Sequence, residues 1–177
     1  MAARFRRLRR GGIQANLDTG EAAVLIQLCR ELSGLLPRAA GSPQVPADDD
    51  PVLSRLFPRA YLDPTEEEAE SEWQRFARPD LVEGRKEAME TFLRTLAGAR
   101  QHRGGLEVTL TPEEADVWLA VVNDARLALG TRLEVTEETN PADFDPGDPA
   151  TGPFTVYWWL GYLEEHLVDT LASSTDG

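Results

Sequence analysis

The chain has 177 residues, 41% of them apolar, and a formal net charge of −13. That length fits a single domain over residues 1–177 with a buried core, and no stretch approaches the roughly 20 apolar residues that a membrane-spanning helix needs. The start, Met1-Ala2-Ala3-Arg4-Phe5-Arg6-Arg7, lacks the apolar run of a secretory signal, and Cys29 as the one cysteine excludes an intrachain disulfide and a cysteine-rich zinc site, so a reducing cytoplasm is expected.

In chain order, Gly11-Gly12 separates two short segments, the second alternating Ile13, Ala15 and Leu17, which predicts a β-hairpin. Asp18 with Glu21 has capping-box spacing, and Ala22, Leu25, Ile26, Cys29, Leu32 and Leu36 recur on one helical face, so a helix is expected over 19–36, stopped by Pro37. Residues 37–50 hold three prolines and three aspartates and read as a flexible loop. Asp50-Pro51 opens a short helix through Phe57. Asp63-Pro64 opens another, with an acidic face from Glu66 to Glu72 and with Ala69, Trp73 and Phe76 inward. Pro79 separates it from a helix over 80–102 whose inward stripe includes Leu81, Arg85, Met89, Phe92 and Leu96.

Leu106 to Leu110 alternates as a strand, and Thr111-Pro112-Glu113-Glu114 caps a helix carrying Val117, Trp118, Val121, Val122 and Ala125 to about Gly130. Residues 139–153 read as a second flexible loop, 154–171 as an aromatic-rich helix, and 172–177 as a disordered tail. The expected fold is α+β and mostly α-helical, with five to six helices packed on a small antiparallel sheet made of the hairpin and strand 106–110. The segment from Gly11 to Val24 also matches that from Gly104 to Val117 at a constant offset of 93, with paired glycines, alternating strand and capping box in step. Two pseudo-repeated strand-helix units are the reading; chance convergence of similar junctions is the competing one.

Catalytic constellations are thin. No nucleophile elbow, phosphate-binding loop or dinucleotide fingerprint occurs, and neither His102 nor His166 has a metal-ligand spacing with a partner. No catalytic residue, cofactor or metal site is assigned, and the protein is read as a non-enzyme. Arg4, Arg6, Arg7, Arg9 and Arg10 form a basic patch, while the rest of the chain has 13 basic against 31 acidic groups. The acidic body repels nucleic acid, so an acidic protein surface is the favoured partner for this patch and direct DNA binding through the hairpin the alternative. Trp158 and Tyr162 form a stripe offset from the rest of the last helix and are candidate interface aromatics for a partner or for a homodimer. Asn123, Asp124 and Arg126, with Arg132 beyond, are a candidate polar cluster on an otherwise apolar helix, for partner contact or for internal satisfaction of polar groups.

The core Asn123-Asp124-Ala125-Arg126-Leu127-Ala128-Leu129-Gly130-Thr131-Arg132-Leu133, the segment from Asp49 to Tyr61, the arginine-glycine hairpin and Tyr157-Trp158-Trp159-Leu160 together resemble the actinobacterial DUF2017 family over nearly the whole chain. The resemblance implies a non-catalytic, transcription-associated regulator that binds protein, and a stress-response role through an extracytoplasmic-function sigma factor. The family's usual gene neighbourhood beside a Clp adaptor implies an alternative role in Clp-type regulated proteolysis. One expected departure is a redox switch: a thiol pair is not available with Cys29 alone.

Overall fold

The computed structural model describes residues 4–9, 11–40, 50–102, 104–145 and 147–173; the tail 174–177, most of the first expected loop and Arg10 lie outside them. Four strands, β1 (Arg4–Arg7), β2 (Ile13–Asp18), β3 (Arg100–His102) and β4 (Gly105–Leu110), form one antiparallel sheet in the order β1-β2-β4-β3. Among the described residues five α-helices accompany it: α1 (Thr19–Ala40), α2 (Pro51–Leu56), α3 (Glu67–Ala97), α4 (Pro112–Arg132) and α5 (Gly152–Ala172). The fold is α+β and mostly helical.

The sheet is built from the repeat. Ala15 pairs with Val108, its own equivalent at the offset of 93, and Ile13↔Leu110 maps onto Leu17↔Leu106, so a local two-fold axis passes through the β2–β4 centre. Around that axis the turns match: Gly11 and Gly104 both have positive φ, 89° and 82°. A Cβ on Gly12 would meet the Leu110 carbonyl oxygen at 3.0 Å, and one on Gly105 would meet the equivalent Leu17 oxygen at 2.3 Å. The caps match as well. Asp18 and Glu21 exchange backbone-to-side-chain hydrogen bonds at 2.8 Å each, as do Thr111 and Glu114 at 3.0 and 3.1 Å. Strand β3, unforeseen in the sequence, is the counterpart of β1, and each unit is therefore a hairpin followed by a helix.

One sheet face is apolar and buried through Ile13, Ala15, Leu17, Val108 and Leu110, as strand alternation requires. Against it lies Trp118 of α4, fully buried, with its ring centroid 4.6 Å from that of Phe92 and 6.3 Å from that of Phe5, and its Nε1 donating to Thr95 Oγ1 at 2.9 Å. Leu160, Leu163 and Leu167 of α5 close the same core.

Two expected helix ends are overturned. Pro37 does not stop α1, which runs to Ala40, so the helix takes the first residues of the expected loop: Leu36 and Ala39 are buried, and their packing holds the final turn. Pro79 does not divide α3, because the helix is anchored on both sides of it; Arg78 and Arg85 lie over the Phe57 ring, with Val82 buried between them. The expected helix over 80–102 instead ends at Ala97, and β3 follows. The inward stripe of the first half is corrected too. Phe76 is 68% exposed and Leu81 40%, whereas Glu70, expected on a solvated face, is buried. Its carboxylate accepts the N–H groups of Ala60 at 3.0 Å and Tyr61 at 2.8 Å and a bond from Gln74. Burial pushes its pKa up, but these donors more than offset that and hold it below the usual glutamate range.

Candidate functional site

The proposed polar cluster does not converge on one point. Helix α4 packs at the centre of the helical layer, and its polar side chains each reach a different neighbour. Asp124 Oδ2 lies 3.1 Å from Arg85 Nε of α3; the N–H is not aligned for a hydrogen bond, so the contact is one of charge, with the guanidinium also 4.6 Å from the Phe57 ring centroid. Burial raises the Asp124 carboxyl above the usual aspartate range, against the pull of Arg85. Arg126 Nη1 lies 3.3 Å from Glu164 of α5, and its guanidinium is 5.3 Å from the Tyr157 ring centroid. Arg132 Nη1 pairs with Glu31 of α1 at 2.8 Å. Asn123 is half-buried. The α4–α5 crossing is close: a Cβ on Gly130 would approach Tyr157 to 2.8 Å, and one on Gly161 would approach Arg126 Nε to 3.3 Å.

Sequence reasoning missed the three partners, Arg85, Glu164 and Glu31. Arg85 carried a signal, because a charged residue at an apolar position of a helical stripe needs a buried counter-charge. Glu31 is exposed and Glu164 half-buried, and nothing in their spacing singles them out.

The basic patch is divided by strand alternation. Arg6 lies on the outer sheet face and donates to Gln14, which bridges to Asn16 and Glu107, whose other oxygen accepts from Arg100. Arg7 turns to the opposite side and donates to the Ser173 carbonyl at the end of α5, 2.8 Å away. Arg9 is exposed in the turn, Arg4 is placed by its strand, and Arg10 lies outside the described residues.

Trp158 is half-buried and walled by the chain itself: ring centroids of Phe144, Phe154 and Tyr157 lie 5.2, 5.9 and 6.4 Å from its own. Phe144 comes from the expected loop, where Asn140 and Asp148 cap short 3₁₀ turns over Pro141–Asp143 and Pro149–Thr151. Tyr162 is 39% exposed and stacks on His166 at 4.4 Å.

Cys29 is buried in α1 with Sγ 3.7 Å from the Met89 carbonyl oxygen, and burial pushes its pKa up to about 11 despite Ser33 and Arg30. A cleft bounded by Leu35, Val52 and Thr131 is rimmed by Asp50 and Arg132, which are engaged with Arg38 and Glu31. Among the described residues no three His, Cys, Asp or Glu side chains gather as a metal site, and no helix is long and apolar enough to cross a membrane.

The family model described as "Domain of unknown function (DUF2017)" matches residues 2–171. The chain belongs to the DUF2017 family. Among curated proteins, the Mycobacterium tuberculosis protein named "Oxidative stress regulator AosR" is 31% identical over 91% of this chain and 83% of its own length. A relative from Mycobacterium leprae that also carries the AosR name is 36% identical over 155 residues, 81% of this chain and 68% of its own length. No solved structure matches this DUF2017 chain.

Proposed function

We propose that this DUF2017 protein is a cytoplasmic, non-catalytic regulator that acts by binding a protein partner, an extracytoplasmic-function sigma factor or another transcription component. The observation that carries the reading is the likeness, over most of the chain, to proteins named oxidative stress regulators. The geometry supports it in two ways. Asp124, Arg126 and Arg132 of α4 are committed to neighbouring helices, which is what a structural scaffold needs. Arg6 and Arg7, on opposite faces of β1, are engaged within the chain, which favours a protein partner over a phosphate backbone that would require them on one side.

The lone Cys29, buried and with its thiol held protonated, supports a regulator in this chain that does not sense oxidants through an internal thiol pair. Titration calorimetry of the purified protein against the extracytoplasmic-function sigma factors of its own genome tests the reading. A stoichiometric complex with one of them, formed equally under reducing conditions, is the expected result. No complex with any sigma factor or with core RNA polymerase would overturn it.

A further inference from the structure

Helix α3 is longer than the core it serves. Of its 31 residues, the buried apolar ones begin only at Val82, and in the preceding half Glu70 is the one fully buried side chain. Four of the six large apolar side chains exposed among the described residues, Tyr61, Leu62, Phe76 and Leu81, fall in or just before this half. The helical period places Glu68, Glu72, Phe76, Asp80, Glu83 and Glu87 together on the side of α3 away from the core, all of them exposed. Phe76 is therefore an aromatic ring standing in water at the middle of a row of carboxylates.

The nearest cations neutralise that row only in part, at Glu83 and beside Glu87, and form no ion pair with Glu68, Glu72 or Asp80. Arg75 lies over the Phe76 ring at 4.6 Å, and Lys86 is tied to Glu83 at 3.0 Å. This arrangement suits an occupant that brings an apolar side chain for Phe76 and cations spaced to meet carboxylates three, four and seven residues apart. A second helix laid along α3 has that spacing. The chain's own concentrated arginines lie instead at positions 4 to 10, in and beside a strand, which favours a foreign helix over a second copy.

We propose that the outward face of the amino-terminal half of α3 is the docking surface for a basic amphipathic helix of the protein partner. The inference rests on the protein-binding reading above and assigns it a surface and a partner chemistry.

The probe is a fluorescently labelled synthetic helix of alternating leucine and lysine turns, with a second peptide carrying glutamate in place of lysine, both titrated with the intact protein. The lysine peptide is expected to bind and the glutamate peptide not. Phe76→Ser is expected to weaken binding about fivefold or more, as loss of an aromatic anchor does. Neutralising Glu72, Asp80 and Glu83 as Gln, Asn and Gln is expected to weaken it about tenfold and to flatten its salt dependence. A control variant neutralising Glu137, Glu138 and Glu165, also exposed, should change it less than about twofold. All these side chains are exposed, and circular dichroism checks that each variant is folded.

Equal weakening by the control, indifference to Phe76→Ser, or no binding of the lysine peptide overturns the surface. So does a sigma-factor complex unaffected by both α3 variants, an outcome that leaves the regulatory reading standing. Peptide binding with the α3 signature but no sigma-factor complex supports the surface and overturns the regulatory reading alone.

Discussion

Burial decides the chemistry of both unusual acids in the core. Cys29, 1% exposed and with its pKa raised to about 11, has a negligible thiolate fraction at neutral pH. Alkylation by iodoacetamide at about pH 8 is predicted to proceed only through unfolding, slower by a factor of about 100 or more than for an unfolded chain. Rapid labelling of the native protein would show that α1 opens locally. Asp124 is subtler, because burial and Arg85 oppose each other and burial wins. Asp124→Asn has the shape of the neutral acid that burial favours, and Arg85 keeps a quarter of its side chain in water, so the substitution is predicted not to destabilise the fold at neutral pH. An aspartate whose native pKa is raised binds its proton more readily in the folded state, so it favours folding increasingly as pH falls through the window between the raised and the ordinary value, and that gain is lost as pH rises. Urea melts should therefore show wild type gaining stability relative to Asp124→Asn as pH falls from neutral toward the ordinary aspartate range. A wild type that is clearly more stable than the variant at neutral pH and loses that advantage as pH falls would mean that pairing with Arg85 outweighs burial.

At the scale of elements, the two hairpin-helix units were legible because each feature of the repeat has a local cause: positive φ at Gly11 and Gly104, close backbone approach at Gly12 and Gly105, and reciprocal caps at Asp18/Glu21 and Thr111/Glu114. What could not be read were features set by contacts distant in sequence. Pro37 and Pro79 looked like helix ends because a proline forfeits a helical hydrogen bond, but Leu36 and Ala39 in one case, and the Arg78 and Arg85 contacts with Phe57 in the other, keep the chain helical past them. Strand β3 was hidden because Arg100, Gln101 and His102 are all exposed and carry no alternation. The near-symmetry of the sheet makes a quantitative prediction. A methyl at Gly105 must displace the Leu17 carbonyl from 2.3 Å, whereas one at Gly12 meets the Leu110 carbonyl at 3.0 Å. Gly105→Ala is predicted to destabilise by about 2–3 kcal/mol and Gly12→Ala by about 1 kcal/mol or less in chemical denaturation. Equal losses would contradict the asymmetry of the two turns.

For the whole molecule, the fold class could be read from patterning, but the polar cluster could not be read as a unit. Asp124, Arg126 and Arg132 are close in sequence on a helix surrounded by others, so their side chains fan out to α3, α5 and α1. The arginines of β1 likewise separate because adjacent strand residues face opposite ways. The acidic, partly apolar half of α3 emerges only once Phe76 is seen to be exposed. Regulation through a bound protein, rather than catalysis, is the role proposed for this DUF2017 protein. Transcript levels measured in its own organism, with the gene deleted and then restored, before and after peroxide, test that most directly. A defined set of transcripts that shifts on deletion and returns both with the restored gene and with a Cys29→Ser copy is the predicted result; an unchanged transcript profile in every condition would contradict it.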